Sequence, residues 1–292
     1  MQKKSHNLLF ILGNPRSGTS LFRRILDEHS CISIPPESNF LVGLYPKYAE
    51  ADLTDEKKAR LLEDLFQFPK FSDLKIDQYA LESQVYDKSM TSFSDIYMAI
   101  QRHYANNMGK KSNKTKFIFG EKNRFWRDKA GWISECFPNA IILHLIRDPR
   151  DVVVSYLQLK NLQRLDIPYK PELEEDPVAI LDEWVRNNDR IKEMQKIHTY
   201  YMIRYEELIL NTTHTIHNLL EALGLDKDDS IFDYYKKEIF GVTEPISHKP
   251  WKVKLAEAPD RDNIRKFEKF LAPTELERIH SLFKEKMADY GY

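Results

Sequence analysis

The stretch from Leu8 to Ser20, LLFILGNPRSGTS, constrains this chain more than any other. A five-residue apolar run reads as a buried strand. A loop bounded by Gly13 and Gly18 follows, and then a helix with Leu21, Phe22, Ile25 and Leu26 on one face. Such a unit turns backbone N–H groups and the positive end of a helix dipole toward one point, where an anion binds. Gly13, Gly18 and Ser20 stand in the frame of the G-x-x-x-x-G-K-[ST] phosphate loop, with Thr19 where its lysine would be. The flexible ammonium that reaches the outer phosphates of a triphosphate is therefore missing, and with it much of the case for ATP or GTP hydrolysis. Arg16 offers a rigid, forked cation suited to an oxyanion with several oxygens. Taken alone, the segment also fits an ordinary strand-to-helix turn with glycines kept for backbone reasons.

The same alternation continues along the chain. Cys31 to Ile34, Phe117 to Phe119, Ala140 to Ile146 and Tyr200 to Arg204 read as strands. Helices are expected from Thr54 to Phe66 with Thr54 as N-cap, from Asp151 to Leu159, from Asp176 to about Ile197, and from Thr212 to Leu223 before Gly224. Strands alternating with helices predict an α/β fold: a P-loop-type three-layer α/β/α sandwich with a mainly parallel central sheet and helical insertions. The segment from about 40 to 115, rich in polar and aromatic residues, reads as a helical insertion on the substrate side. Its Phe40, Tyr45, Tyr48, Phe93 and Tyr97 suit stacking on a sugar or phenol, or plain core packing.

At 292 residues with 42% hydrophobic and 30% charged content, one domain spanning 1–292 is expected. A formal net charge of -1 gives no overall bias toward nucleic acid or a membrane surface, so any anion site must be local. Cys31 and Cys136 have neither disulfide nor metal-ligand spacing. No stretch has the length of a membrane span, and Leu8 to Leu12 is too short for a signal-peptide core, so a cytoplasmic location is expected.

A second cluster, Arg147-Asp148-Pro149-Arg150-Asp151 followed by Ser155, sits at the carboxyl end of an expected strand, where open α/β sheets bind ligands. Two arginines and a hydroxyl at a helix start form a second phosphate site. Asp148 and Asp151 could instead neutralise both arginines locally. With the first loop, the pattern asks for a ligand bearing two separated anionic groups, a layout found in 3′,5′-bisphosphorylated adenosine.

Together these residues resemble the sulfotransferases that use 3′-phosphoadenosine-5′-phosphosulfate (PAPS), particularly the branch of tyrosylprotein, bacterial and carbohydrate sulfotransferases. Gly13 to Ser20 resembles that family's 5′-phosphosulfate loop, and Arg147 with Ser155, eight positions apart, its 3′-phosphate motif. Gly120-Glu121-Lys122-Asn123 resembles its G-[DE]-K-T segment, Phe137-Pro138 its F-P before a strand, and Arg204-Tyr205-Glu206-Glu207-Leu208 its [RH]-Y-E-[DEQ]-L segment. The resemblance implies transfer of a sulfuryl group from PAPS to an acceptor hydroxyl, leaving 3′-phosphoadenosine-5′-phosphate (PAP), without a metal. It implies that Arg16, Ser17, Gly18, Thr19, Ser20, Arg147, Ser155 and Tyr205 bind the donor, and that Arg16 and Lys122 stabilise developing charge.

Glu37, 21 positions after Arg16, matches the offset of the catalytic glutamate in the tyrosylprotein branch and is the first candidate for the base. Without the resemblance, a solvated turn glutamate is the simpler reading. His29 ranks second, at a helix end that equally fits capping, and His144 reads as a core histidine. The C-terminal loop departs from the family pattern: Ser247, His248, Lys249, Lys252, Lys254 and Arg261 are all available, and Phe267 stands near the expected tryptophan. The acceptor is expected to be a small metabolite, glycolipid or oligosaccharide. A P-loop kinase or a non-catalytic adenine-nucleotide module are the competing readings.

Overall fold

β1 (Leu8–Leu12) is buried along its whole length, and its side chains alternate between two cores because successive strand residues face opposite sides of a sheet. Leu8, Phe10 and Leu12 enter one cluster, and Leu9 and Ile11 the other. A strand apolar on both faces belongs in the middle of a covered sheet. The computed structural model describes residues 7–49, 53–112, 116–123, 129–163, 174, 176–246 and 249–292. Among these, β1, β2 (Ile32–Ser33), β3 (Ile118–Lys122), β4 (Ile141–Ile146) and β5 (Thr199–Arg204) form one sheet in the order β2-β3-β1-β4-β5. Every pairing is parallel, with Phe10 of β1 opposite Glu121 of β3 and Ile142 of β4.

Helices cover both faces. α1 (Thr19–Asp27) packs Phe22, Ile25 and Leu26 against Leu9 and Ile11. The opposite face is covered from the 40–115 segment, by α2 (Phe40–Tyr48), α3 (Asp55–Gln67), α4 (Gln78–Val85) and α5 (Phe93–Asn107), together with α6 (Ala130–Cys136). α7 (Pro149–Gln163) and α8 (Pro177–Glu193) follow β4, and α9 (Tyr205–Leu210) and α10 (Thr212–Ala222) follow β5. α11 (Lys249–Lys252), α12 (Phe267–Phe270) and α13 (Pro273–Ala288) complete the chain. A third cluster joins α7, α8, α12 and α13 around Ile146 and Trp184.

Local signals place several of these ends. Thr54 accepts a hydrogen bond from the Lys57 N–H at 3.4 Å, and Asp176 from the Ala179 N–H at 3.0 Å, each satisfying an orphan donor of a first helical turn. Gly224 takes φ 70° just past α10, a left-handed position that glycine occupies without strain.

The aromatic residues considered for acceptor stacking have another task. Phe40, Tyr45, Tyr48, Phe93 and Tyr97 are all core residues, and the three tyrosine hydroxyls donate to Glu135 at 2.6 Å, Asp64 at 2.6 Å and Glu121 at 2.8 Å. The sheet's second face needs an apolar cover and this segment supplies it, so core packing is the reading that holds for them. His144 is a satisfied core histidine: Nδ1 meets the Tyr200 hydroxyl at 2.5 Å, Nε2 meets Asn188 Oδ1 at 2.8 Å, and burial pushes its pKa down to about 4. No helix among the described residues is long and apolar enough to cross a membrane.

Candidate active site

Parallel strands open their carboxyl ends on one edge of the sheet, and the segments leaving them carry the residues that the sequence singles out. Glu37 follows β2, Lys122 ends β3, the Gly13–Ser20 loop follows β1, Arg147 follows β4 and Tyr205 follows β5. Residues from all five line one cavity of about 470 Å³. The cavity sits where the chain first builds the sheet to one side of β1 and then crosses to the other, the position at which open α/β sheets bind ligands.

The β1 loop is held in one shape by its backbone and its neighbours. Arg16 (φ 70°) and Gly18 (φ 91°) both adopt left-handed backbone, and the Ser17 N–H donates to the Asn14 carbonyl at 3.2 Å. Asn14 in turn accepts from Asn187 of α8 at 2.6 Å, which fixes the loop against the body of the fold. A Cβ on Gly18 would stand 2.5 Å from the Tyr205 ring, so the loop closes against that ring only because the residue is glycine. α1 starts at this loop with no side-chain cap and no acidic residue in its first turn, leaving its N–H groups for an anion. The Ser17 hydroxyl is also buried without a hydrogen-bond partner among the described residues.

The second cluster divides its arginines. Arg150 is held by Asp148 through two contacts, Nε to Oδ1 at 2.9 Å and Nη2 to Oδ2 at 2.6 Å, and lies over the Phe267 ring at 4.0 Å. Local neutralisation therefore describes Arg150. Arg147 behaves differently. It stacks over Tyr205 at 4.4 Å and donates to the carbonyls of Arg16 at 3.0 Å and Asn263 at 2.6 Å. Its Nε is buried without a partner among the described residues. Asp151, 4.0 Å away, is engaged by the backbone N–H groups of Arg265 and Phe267. Arg147 lines the cavity, and a guanidinium with an N–H left without a partner among the described residues fits an anionic ligand there.

Arg16 joins the two anion sites. Its Nε donates to the Ser155 hydroxyl at 3.1 Å, and burial followed by the charge of Arg147 pushes its pKa down to about 10. Two guanidinium groups held this close, with neither neutralised by a full carboxylate pair, favour a multiply charged anion between them. At the other end of the cavity, Lys122 Nζ and Glu37 Oε2 pair at 2.7 Å, with both side chains largely buried. The Glu37 turn is fixed just upstream, where the Ile34 N–H donates to Asp27 at 2.8 Å.

His29 is elsewhere. Its Nε2 meets the Asp226 carbonyl at 3.0 Å and its Nδ1 accepts from the Cys31 N–H at 3.1 Å, so both ring nitrogens are committed to holding the end of α1. Of the C-terminal loop candidates, Lys252 and Lys254 line the cavity. Arg261 reaches the Leu210 carbonyl at 3.5 Å instead, and Ser247 and His248 lie outside the described residues. Trp184 is core, with its indole N–H donated to the Arg147 carbonyl at 3.0 Å. Sequence reasoning missed Lys266, which lines the cavity and approaches Gln158 at 3.4 Å. Burial, then Lys254 and Arg147, push its pKa down to about 8. Its position one residue before Phe267 was the available signal.

The α/β sheet thus carries a lysine-less, glycine-bounded loop after β1 and an arginine cluster after β4, both lining one cavity. The chain belongs to the sulfotransferase family, whose profile it matches over residues 9–229. It is 24% identical over 246 residues to protein-tyrosine sulfotransferase 2 of Gallus gallus, covering 84% of this chain and 57% of that protein. The chain thus spans little more than half the length of that relative. Among solved structures it is similar to the sulfotransferase domain of the Synechococcus PCC 7002 olefin synthase, with TM-score 0.63, 20% identity and 97% coverage of each chain. It is also similar to mouse sulfotransferase SULT7A1 complexed with PAP, with TM-score 0.51 and 14% identity over 96% of this chain and 84% of that one.

Proposed function

We propose that this chain transfers a sulfuryl group from PAPS to an acceptor hydroxyl on a small metabolite, glycolipid or oligosaccharide, with Glu37 as the base. The observation that carries this reading is the pair of Glu37 and Lys122 at 2.7 Å, at one end of a cavity whose other features are an uncapped helix N-terminus and two neighbouring guanidinium groups. Backbone N–H groups from Ser17 to Ser20 hold the 5′ end of the donor, and Arg147, Ser155 and Arg16 hold the 3′-phosphate. Tyr205, pinned between Gly18 and Arg147, borders the nucleotide. Lys254 and Lys266 add cations along the same wall. Bound in this way, the donor supplies a sulfuryl group carried on a phosphate leaving group.

The chain's residues supply orientation, charge and a proton acceptor. Glu37 takes the proton of the acceptor hydroxyl as that oxygen becomes a nucleophile. Lys122 pairs with Glu37 at 2.7 Å before transfer. When negative charge grows on the departing oxygen, the ammonium is drawn to it, and the Glu37 carboxylate is left to take the proton. The runner-up for the base, His29, has no free ring nitrogen for this task.

The test is transfer of radiolabelled sulfate from PAPS into a panel of metabolite, glycolipid and oligosaccharide acceptors. Wild type labels one of these classes. Glu37→Ala and Lys122→Met each lose labelling by about 100-fold or more, and Glu37→Ala binds PAP as wild type does. Full labelling by Glu37→Ala contradicts its role as base.

A further inference from the structure

A buried charge network lies behind α1, joining Arg23, Glu244 and Lys252. Arg23 of α1 is 1% exposed, yet its guanidinium makes four polar contacts, one of them to the Thr243 carbonyl at 3.4 Å. It donates to the Ile34 carbonyl at 2.7 Å, pairs with Glu244, and lies 3.8 Å from Asp27. Glu244 is also 1% exposed, and its second carboxylate oxygen accepts from Lys252 Nζ at 2.7 Å. Lys252 lines the cavity with Lys122 and Glu37. Ile34 leads directly into Pro35-Pro36-Glu37, so one guanidinium touches both the approach to Glu37 and the carboxylate that holds Lys252.

A buried arginine–glutamate pair adds little net stability, because the desolvation of two charges roughly cancels their attraction. Its geometry is more informative. Glu244 is clasped between two cations, and of these only Lys252 borders the cavity. Arg23, which also has Asp27 at 3.8 Å, takes one oxygen of Glu244, and the other oxygen holds Lys252 at the cavity wall that Lys122 also lines.

We propose that Arg23 and Glu244 are positioning residues that hold Lys252 as a second cation beside Lys122, at the transfer end of the cavity. The identity of the anion Lys252 faces rests on the donor reading above; the relay itself does not. Among the described residues, Glu244, Lys122 and Arg23 are the charged groups that act most strongly on Lys252. Burial pushes its ammonium down to about 8, Glu244 raises it, and Lys122 and Arg23 lower it further. Glu244→Gln therefore lowers the Lys252 titration midpoint, whereas Arg23→Met removes a repelling cation and raises it. Opposite movements from two buried substitutions are not what general loosening produces.

The experiment is NMR titration of protein labelled with ¹³C-lysine, with the Lys252 signal assigned by its loss in Lys252→Arg. The relay predicts a wild-type midpoint of about 8, a fall of about 1 pH unit in Glu244→Gln, a rise in Arg23→Met, and a rise in wild type saturated with PAP. A Lys252 midpoint near the ordinary lysine value of about 10.4 in wild type and Glu244→Gln alike overturns the relay. Should Arg23→Met not fold, the Glu244→Gln arm decides the matter alone. PAP that binds without moving Lys252 overturns its place at the transfer end. Failure of wild type to bind PAP strikes the donor reading only, since the relay is read in the free protein.

Discussion

Arg147 and Arg150 stand three positions apart in a basic loop, yet the structure gives them opposite circumstances. Asp148 engages Arg150 with both oxygens, while Arg147 keeps a buried N–H without a partner among the described residues. Arg147→Ala therefore weakens PAP binding by about 1.5 to 3 kcal/mol, roughly 10- to 100-fold, and Arg150→Ala changes it by no more than about threefold. Calorimetry on the two variants checks this, and equal losses contradict the division. Lys266 adds a pH signature. With its pKa pushed down to about 8, it is charged below that pH and neutral above it, so PAP affinity falls as pH rises through about 8. In Lys266→Met that alkaline fall becomes shallower, the part carried by Lys252 remaining. A wild-type affinity that stays level from pH 7 to 9 contradicts the assignment.

Element by element, legibility followed the range of the signal. β1, β4 and the caps at Thr54 and Asp176 were readable because apolar runs and cap residues act within a few positions. Asp176→Ala is expected to cost about 1 kcal/mol in denaturant unfolding with PAP affinity unchanged, since the cap holds α8 and touches nothing in the cavity. A loss of PAP affinity alongside would show that the start of α8 helps to shape the site. The aromatic residues of α2 to α5 carry no mark in the sequence of what they face. Tyr97 meets Glu121 and Phe10 packs on Phe137 only after the chain has crossed the sheet, a long-range outcome that local periodicity does not encode. Among site residues, Arg16, Lys122 and Arg147 stood out by motif. Lys252 and Lys266 sit in a loop whose composition is that of any polar surface, and only tertiary packing turns them to the cavity.

Across the whole molecule, two buried titratable groups in the sheet oppose one another. Burial pushes His144 down to about 4, so its contribution is present above its ordinary value of 6.5 and is lost as pH falls through about 4. Burial pushes Glu121 up to about 7 from 4.5, so its contribution is present below 4.5 and is lost as pH rises through about 7. Between pH 4.5 and 6.5 the two slopes nearly cancel. Glu121→Gln keeps an acceptor for the Tyr97 hydroxyl and removes one slope. Its stability should match wild type near pH 4.5 and exceed it by about 3 kcal/mol at pH 8, measured by denaturant unfolding. Parallel profiles contradict the burial argument for Glu121.

The fold gathers five strand ends around one cavity, and the central claim is that this cavity takes a nucleotide with phosphates at both the 3′ and 5′ positions. Calorimetry of the wild-type chain with PAP and with ATP, in buffer without divalent metal, tests it most directly. The account predicts tight PAP binding and an ATP affinity lower by at least about 10-fold, because ATP lacks the group that Arg147 and Ser155 await. Tight ATP binding with no response to PAP contradicts it.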